Sequence, residues 1–216
     1  MKIAVLASDN SPASTIAGPL EILTVASLLA TQQRSRDSGR PFDLMVVAKD
    51  SNPVCCQNNV RILPDRAVVP FEAVDVVIIG ALGPPPKSGY RLDPDLIAWL
   101  RAQAAAGAVL ASVCTGAFLL AATGLLDGRI ATTHWAYANL FRHLYPAVSL
   151  CPEKLLTTDG QFICSGGATS YQDLALHLIQ RRLGRSIAVQ CAKLLLIPLD
   201  RDSQGEYAEF QCKRSF

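Results

Sequence analysis

Cys114 is the residue whose type and position are best suited to chemistry. It follows the apolar segment VLASV and precedes TGAFLLAA, so a strand is predicted to end and a helix to begin there. A thiol beside a helix N-terminus feels the positive end of the helix dipole, which favours the thiolate. We therefore expect Cys114 to be partly ionised near neutral pH. Spacing alone supports a functional cysteine and an inert core cysteine equally.

Small residues next to Cys114 favour a tight strand-turn-helix. Gly116 supplies the small side chain that such a nucleophile elbow requires. A second buried strand ends in the glycine-containing turn at 80–83, and the carboxyl ends of parallel strands meet at one edge of a sheet. The main-chain N–H of Thr115 and one N–H from this turn would then form an oxyanion hole.

Strand and helix patterns alternate along most of the chain, and these elements must position Cys114. Strands are predicted over 2–8, 42–48, 74–79, 108–113, 129–133, 155–158 and 162–165, and helices over 16–32, 94–106, 115–122, 135–145, 169–183 and 186–196. Pro53 and Pro64 favour a short hairpin or edge strands before residue 66. We therefore predict an α/β fold with a doubly wound, mostly parallel sheet sandwiched by helices.

Length and composition indicate one ordinary globular domain. The 216 residues are half hydrophobic, with 20 basic and 18 acidic residues and no run of basic residues longer than two, which gives no nucleic-acid footprint. The apolar stretches are too short for a membrane span, the N-terminus lacks the layout of a signal peptide, and the seven cysteines form no CxxC. We expect a cytoplasmic protein with no membrane partner, no metal site and no cofactor.

Four segments carry a specific resemblance. They are AGPLEIL at 17–23, VVIIGALG at 76–83, SVCTGAFLLAATGLLDGRIATTHW at 112–135 and CSGGATSYQDLALHLIQRRLG at 164–184. The chain resembles the ThiJ/PfpI (class I glutamine amidotransferase-like) superfamily, in particular the N-terminal sensor domain of AraC-family (GlxA-type) transcriptional regulators. The resemblance covers nearly the whole chain in the same order, and it implies a flavodoxin-like, ThiJ/PfpI-type fold.

The resemblance also implies roles for individual residues. Cys114 would be the elbow cysteine, His134 the histidine near it and Glu21 the acid of the first helix, and these three would be catalytic if the protein is an enzyme. Two positions depart from the pattern of enzymes. Thr15 stands where relatives of the isocyanide hydratase type have an acid, and Thr115 stands where protease-like relatives have a histidine. The partner for proton transfer is therefore incomplete.

We interpret residues 1–199 as a ligand-sensing domain and 200–216 as a linker toward a missing C-terminal helix-turn-helix domain, through which alone DNA would be bound. The resemblance implies a small-molecule effector such as an amino acid or a quaternary amine, and a homodimer. A cage for a quaternary amine would need aromatic side chains such as those of Trp135 or Tyr137 near the site. The predicted ligand-binding residues are Thr15, Gly80, Ala81, Leu82, Gly83, Cys114, Thr115, His134, Trp135 and Gly167.

Several alternatives stay open beside the sensor. The chain could be a stand-alone cysteine hydrolase or hydratase in which the Cys114 thiolate attacks an electrophilic carbon, or a protein whose Cys114 is merely sensitive to oxidation. Glu21 favours the enzyme if its carboxyl reaches the sulfur, whereas Thr15 argues against it. His134 is either a general base or ligand contact, or a structural histidine. The pair GG at 166–167 either binds a carboxylate at a helix N-terminus or forms a tight turn.

Overall fold

The computed structural model of the chain describes residues 1–33, 39–70, 72–199 and 201–208. Its strands are β1 Lys2–Leu6, β2 Asp43–Ala48, β3 Val54–Cys55, β4 Arg61–Ile62, β5 Arg66–Ala67, β6 Val76–Ile79, β7 Val109–Val113, β8 Ile130–Ala131, β9 Ser149–Leu150, β10 Leu156–Asp159 and β11 Phe162–Ser165. Its helices are α1 Ser14–Gln33, α2 Pro94–Ala105, α3 Gly116–Ala122, α4 Ala138–Leu144, α5 Tyr171–Leu183, α6 Arg185–Leu194 and α7 Gly205–Ala208.

Seven strands form the central sheet, in the order β10-β11-β7-β6-β1-β2-β5. Every neighbouring pair is parallel except β10 and β11, which form an antiparallel hairpin at one edge. From β1 the chain goes first to β2 on one side and later to β6 and β7 on the other. The strand order therefore reverses between β1 and β6, and this confirms the doubly wound, mostly parallel sheet.

The two faces of the sheet are covered by different helices. On one face, α1, α5 and α6 bury apolar side chains such as Leu23, Ile179 and Ile187 against the sheet. On the other face, α2, α3 and α4 bury a second cluster that includes Leu100, Phe118 and Phe141. The apolar strand segments are thus buried on both sides, as expected of a parallel sheet between helical layers.

Helix α1 shows why its sequence contains both small and apolar residues. A Cβ atom on Gly18 would lie 2.2 Å from the Tyr171 ring, so this glycine lets α5 approach α1 closely.

Among the described residues, the segment Ser14–Gln32 is the one helix that is long and apolar enough to cross a membrane by those two criteria. Half of that segment is buried inside the domain, as in a core helix of a folded protein.

Most predicted elements are present, and the differences are local. Asp93 caps α2 by accepting a hydrogen bond from the N–H of Asp95 at 2.9 Å, with Pro94 as the first helical residue, as predicted. The helices predicted over 135–145 and 169–183 each begin with a 3₁₀ turn, Trp135–Tyr137 and Ala168–Ser170. Strand β8 pairs with β9, which the sequence did not predict. A two-residue strand is too short to show a periodic pattern in the sequence.

The chain after residue 199 also differs from the predicted linker. Residues 201–208 lie on the domain: Arg201 forms an ion pair with Asp173 at 2.5 Å, Ser203 bridges to Lys154, and Gln204 is buried. Side-chain hydrogen bonds to distant residues hold this segment, and they leave no periodic apolar signal in the sequence. The remaining linker positions, 200 and 209–216, lie outside the described residues.

The start of α3 passes very close to the end of β6. A Cβ atom on Gly116 would lie 2.6 Å from the main-chain oxygen of Ile79 and 2.7 Å from that of Gly80. Because both neighbours are main-chain atoms, they cannot rotate away as a side chain would. Gly116 is therefore required because the elbow packs against the end of β6.

Substitution of Gly116 by alanine is expected to destabilise the fold by about 1–3 kcal/mol, because the added methyl group overlaps two main-chain oxygens. Chemical denaturation followed by circular dichroism measures this change in the free energy of unfolding. Gly167→Ala is the matched control, since its Cβ meets nothing within 4 Å and its φ is −65°. Equal stability of the two variants would contradict this account of Gly116.

Candidate functional site

The main chain at Cys114 is held in an unusual conformation. Its φ is 54°, in the left-handed region that residues other than glycine rarely adopt. The Cys114 N–H donates to the Ser165 carbonyl at 2.8 Å, and the Cys114 carbonyl accepts a hydrogen bond from the Thr133 hydroxyl at 2.9 Å. Two neighbouring segments therefore fix the turn in the geometry of a nucleophile elbow.

The Cys114 thiol is protonated at neutral pH, which corrects the expectation of partial ionisation. The residue is only 6% exposed, and burial raises the pKa of the thiol to about 11. Hydrogen bonds from the N–H and the hydroxyl of Thr115 act in the opposite direction but are the smaller effect. The desolvation of a thiolate therefore outweighs the hydrogen bonds that favour it.

The turn at 80–83 was predicted to supply one N–H group to an oxyanion hole, and most of its N–H groups are engaged within the protein. Three of its N–H groups donate to the protein itself: Gly80 to the Leu6 carbonyl (3.2 Å), Ala81 to the Thr15 hydroxyl (3.1 Å) and Leu82 to the Thr115 hydroxyl (2.9 Å). The N–H of Thr115 faces the Cys114 sulfur. The structure thus brings the predicted residues together, but as partners of one another.

The two residues considered as proton donors or acceptors on α1 are placed differently from each other. Thr15 is fully buried, and its hydroxyl donates to the Pro12 carbonyl at 2.8 Å while it accepts from Ala81. Glu21 is exposed on the surface of α1, so its carboxylate does not line the buried surroundings of Cys114. Glu21 was to favour an enzyme only if its carboxyl reaches the sulfur, and this exposed position gives that condition no support.

His134 has a structural role in the 3₁₀ turn that follows it. Its Nδ1 accepts a hydrogen bond from the Ala136 N–H at 3.1 Å, which assigns the proton of the neutral ring to Nε2. Burial lowers the pKa of His134, so the ring is neutral at pH 7. Its ring centroid lies 5.3 Å from that of Trp135 and 5.4 Å from that of Tyr137. In this tautomer Nε2 carries the proton, so it can donate a hydrogen bond but cannot accept a proton.

The glycine pair before α5 is covered by the tail of the chain. The side-chain amide of Gln204 fills the space beside Gly166, where a Cβ atom would lie 2.4 Å from Nε2. Arg201 reaches the Thr169 carbonyl at 3.3 Å. The space beside Gly167 is open, but a 3₁₀ turn follows it in place of the α-helix N-terminus that a carboxylate was predicted to meet.

A cavity of about 480 Å³ lies beside the elbow, at the crevice where the strand order reverses. It is lined by residues at or after the ends of β1, β2 and β6, by the start of β3 and α2, and by one residue of α3: Ala7, Ser8, Asp9, Ala48, Lys49, Asp50, Asn52, Pro53, Val54, Leu82, Tyr90, Arg91, Leu92, Asp93, Leu96 and Leu119. Of the predicted binding residues, only Leu82 lines it.

Tyr90 is one of the cavity-lining residues that the sequence did not predict. It lines the cavity, its hydroxyl donates to the Gly83 carbonyl at 2.5 Å, and the hydroxyl also lies beside that of Thr115. Burial raises the pKa of Tyr90, so the phenol is neutral. Tyr90 therefore forms the wall between the cavity and Cys114. The sequence signal for this role was weak: an aromatic residue in the loop between β6 and α2.

Comparisons with known proteins agree with this geometry. The DJ-1/PfpI family matches residues 1–181. The HTH-type transcriptional regulator CdhR of Pseudomonas aeruginosa is 35% identical over 74% of this chain and 46% of its own length. The isonitrile hydratase of Pseudomonas putida is 32% identical over 82% and 78%. A solved candidate transcriptional regulator from Vibrio parahaemolyticus, 27% identical, superposes with a TM-score of 0.79 over 90% of this chain and 98% of that one. The chain spans about half the length of the curated regulators it matches.

Alkylation of Cys114 by iodoacetamide is expected to accelerate about tenfold per pH unit from pH 7 to 10 without a plateau, because only the thiolate reacts and its pKa is raised to about 11. At pH 8 the native thiol should react at least about 100-fold more slowly than Cys114 in urea-unfolded protein, whose ordinary pKa is about 8.5. Peptide mass spectrometry measures both rates. A plateau below pH 8 in the native protein would show that Cys114 is a low-pKa cysteine.

Proposed function

Because the chain belongs to the DJ-1/PfpI family, we propose that it is the effector-sensing domain of an AraC-type transcriptional regulator and binds a small metabolite without converting it. One observation carries this proposal. The elbow keeps its strained geometry, but the Cys114 thiol is protonated and the neighbouring N–H groups are bonded within the protein. A thiol in this state is a poor nucleophile, and a negative oxygen would find no free donor in the turn at 80–82.

The cavity beside Tyr90 is the proposed effector site. Asp9 and Asp50 each accept one main-chain N–H, which leaves carboxylate lone pairs for a cationic group. Arg91 also lines the cavity and forms no ion pair among the described residues, so it suits a carboxylate. Apolar side chains such as Leu82 complete the lining. A zwitterion such as an amino acid, or a quaternary amine with a carboxylate, fits this distribution of charge.

The other parts of the proposal concern the whole regulator. Its DNA contacts would be made by a helix-turn-helix domain beyond this chain, in the cytoplasm, and its two half-sites would be bound by a homodimer. The relatives named as HTH-type regulators support this architecture. Exposed leucines at the end of α6, Leu194 at 64% and Leu196 at 89%, supply apolar surface for a symmetric contact.

A hydratase is the second candidate. Two observations favour it: the 32% sequence identity to isonitrile hydratase and the elbow geometry of Cys114. In such a reaction the thiol would add to the isonitrile carbon, and water would then release an N-substituted formamide and restore the thiol. That chemistry requires a group that ionises the thiol. Thr15 occupies the expected acid position with a hydroxyl that is already hydrogen-bonded, and Glu21 is exposed.

A thermal-shift screen of amino acids and quaternary amines is expected to give a ligand that raises the melting temperature, because a ligand that binds only the folded state stabilises it. Ser8→Tyr places a ring in the cavity lining and should abolish the shift. Ser149→Tyr, at an exposed position outside the cavity, should keep it. Calorimetry of both variants checks the same result as an affinity.

Recovery of that ligand after prolonged incubation should return it unchanged by mass spectrometry. Incubation with a simple alkyl isonitrile should likewise give no formamide above the rate seen with Cys114→Ala. Consumption of a compound by the native protein but not by Cys114→Ala would overturn the sensor and support the hydratase. The absence of any thermal shift, or an equal shift with Ser8→Tyr, would refute the proposed site.

A further inference from the structure

The segment 201–208, which we name the tail strap, is fastened to the domain at several points. The Asp202 carbonyl accepts from the Leu155 N–H at 3.0 Å, and the Gln204 N–H donates to the Glu153 carbonyl at 2.9 Å. Arg201 adds the ion pair to Asp173. The strap ends in the short helix α7, and the chain continues from there to residue 216. The position of the strap therefore fixes the point on the domain at which residue 208 lies.

Gln204 is the buried centre of the tail strap. It is 2% exposed, and its Nε2 donates to the Thr133 carbonyl at 2.8 Å. Its amide occupies the slot beside Gly166. Any other residue at position 166 would place its Cβ atom in this slot and displace the amide. Its Oε1 is buried without a hydrogen-bond partner among the described residues. The slot thus fits the side chain in shape but leaves one polar atom unsatisfied, so the seated state is only partly favourable.

Thr133 connects Gln204 directly to the elbow. Its carbonyl accepts from Gln204, while its hydroxyl donates to the carbonyl of Cys114, and the residue is fully buried. On the far side of the elbow, the Thr115 hydroxyl accepts from the N–H of Leu82, which lines the cavity. A continuous series of contacts therefore runs from the cavity wall through the elbow to the tail strap.

We propose that Gln204 couples the state of the effector site to the tail strap, with Thr133 as the connecting residue. This inference rests on the proposed function for its biological meaning, but not for its test. Order in the elbow keeps Thr133 in place and favours the seated strap. By reciprocity, a seated strap favours the observed elbow and raises effector affinity. In this proposal the strap has two states: seated, with Gln204 in its slot, and released. The cavity at one end of the series of contacts and Gln204 at the other each shift the balance between these states.

The test uses iodoacetamide as the probe of the elbow and hydrogen exchange of the strap amides as the second readout, with the 216-residue chain. Gln204→Ala is expected to raise the alkylation rate of Cys114 at pH 8 at least about fivefold, because loss of the Thr133 contact lets the elbow open more often. Thr133→Val, which removes only the hydroxyl, is expected to raise exchange at the Gln204 amide. The double variant should show about the same alkylation rate as the faster single variant.

Two controls separate coupling from general loosening. Glu206→Ala changes an exposed residue of the same strap, and Thr157→Val changes a buried threonine of the same sheet outside the series; both should leave the two readouts unchanged. Gln204→Leu keeps the volume of the side chain and replaces Gln204→Ala if that variant does not fold. An unchanged Cys114 alkylation rate in folded Gln204 variants, or fully multiplicative effects in the double variant, would overturn the coupling. Neither readout needs an effector, so failure of the proposed function is a separate result.

Discussion

The conformation of a single residue constrains the whole functional edge of this domain. Cys114 stands at a positive φ between strand β7 and helix α3, and its main chain is held by Ser165 on one side and Thr133 on the other. Gly116 must be small so that α3 can start against the end of β6. The strained turn thus persists because three separate segments of the fold enforce it.

The same turn geometry is compatible with two very different chemistries. An elbow displays a side chain at the carboxyl edge of a sheet, but reactivity depends on what ionises that side chain. Here burial raises the pKa of the thiol, and the hydroxyls of Thr15 and Thr115 engage the nearby N–H groups. The polar side chains around a constant backbone therefore decide whether such an elbow can ionise its thiol.

The sequence predicts the fold well where an element is determined by residues close together in the chain. Fully apolar strands, a proline and aspartate at the start of α2, and glycines after helices all act within a few residues, so their patterns are legible. The resemblance grouped Thr15, the turn at 80–83, Cys114 and Thr115, and hydrogen bonds join the turn to both threonines. The ionisation of Cys114 was mispredicted because burial depends on all surrounding elements. The seat of Gln204 and the role of Tyr90 depend on contacts between segments far apart in the chain, which leave no local pattern.

The edges of the sheet have a consequence for self-association. One edge ends in the two-residue strand β5, and the other ends in the antiparallel hairpin of β10 and β11. Short outer strands offer few unpaired main-chain groups on which a neighbouring chain could template further strands. These edges therefore give a neighbouring chain little template for strand addition. A symmetric pairing of two copies would then use the helical layers, where a two-fold interface closes on itself.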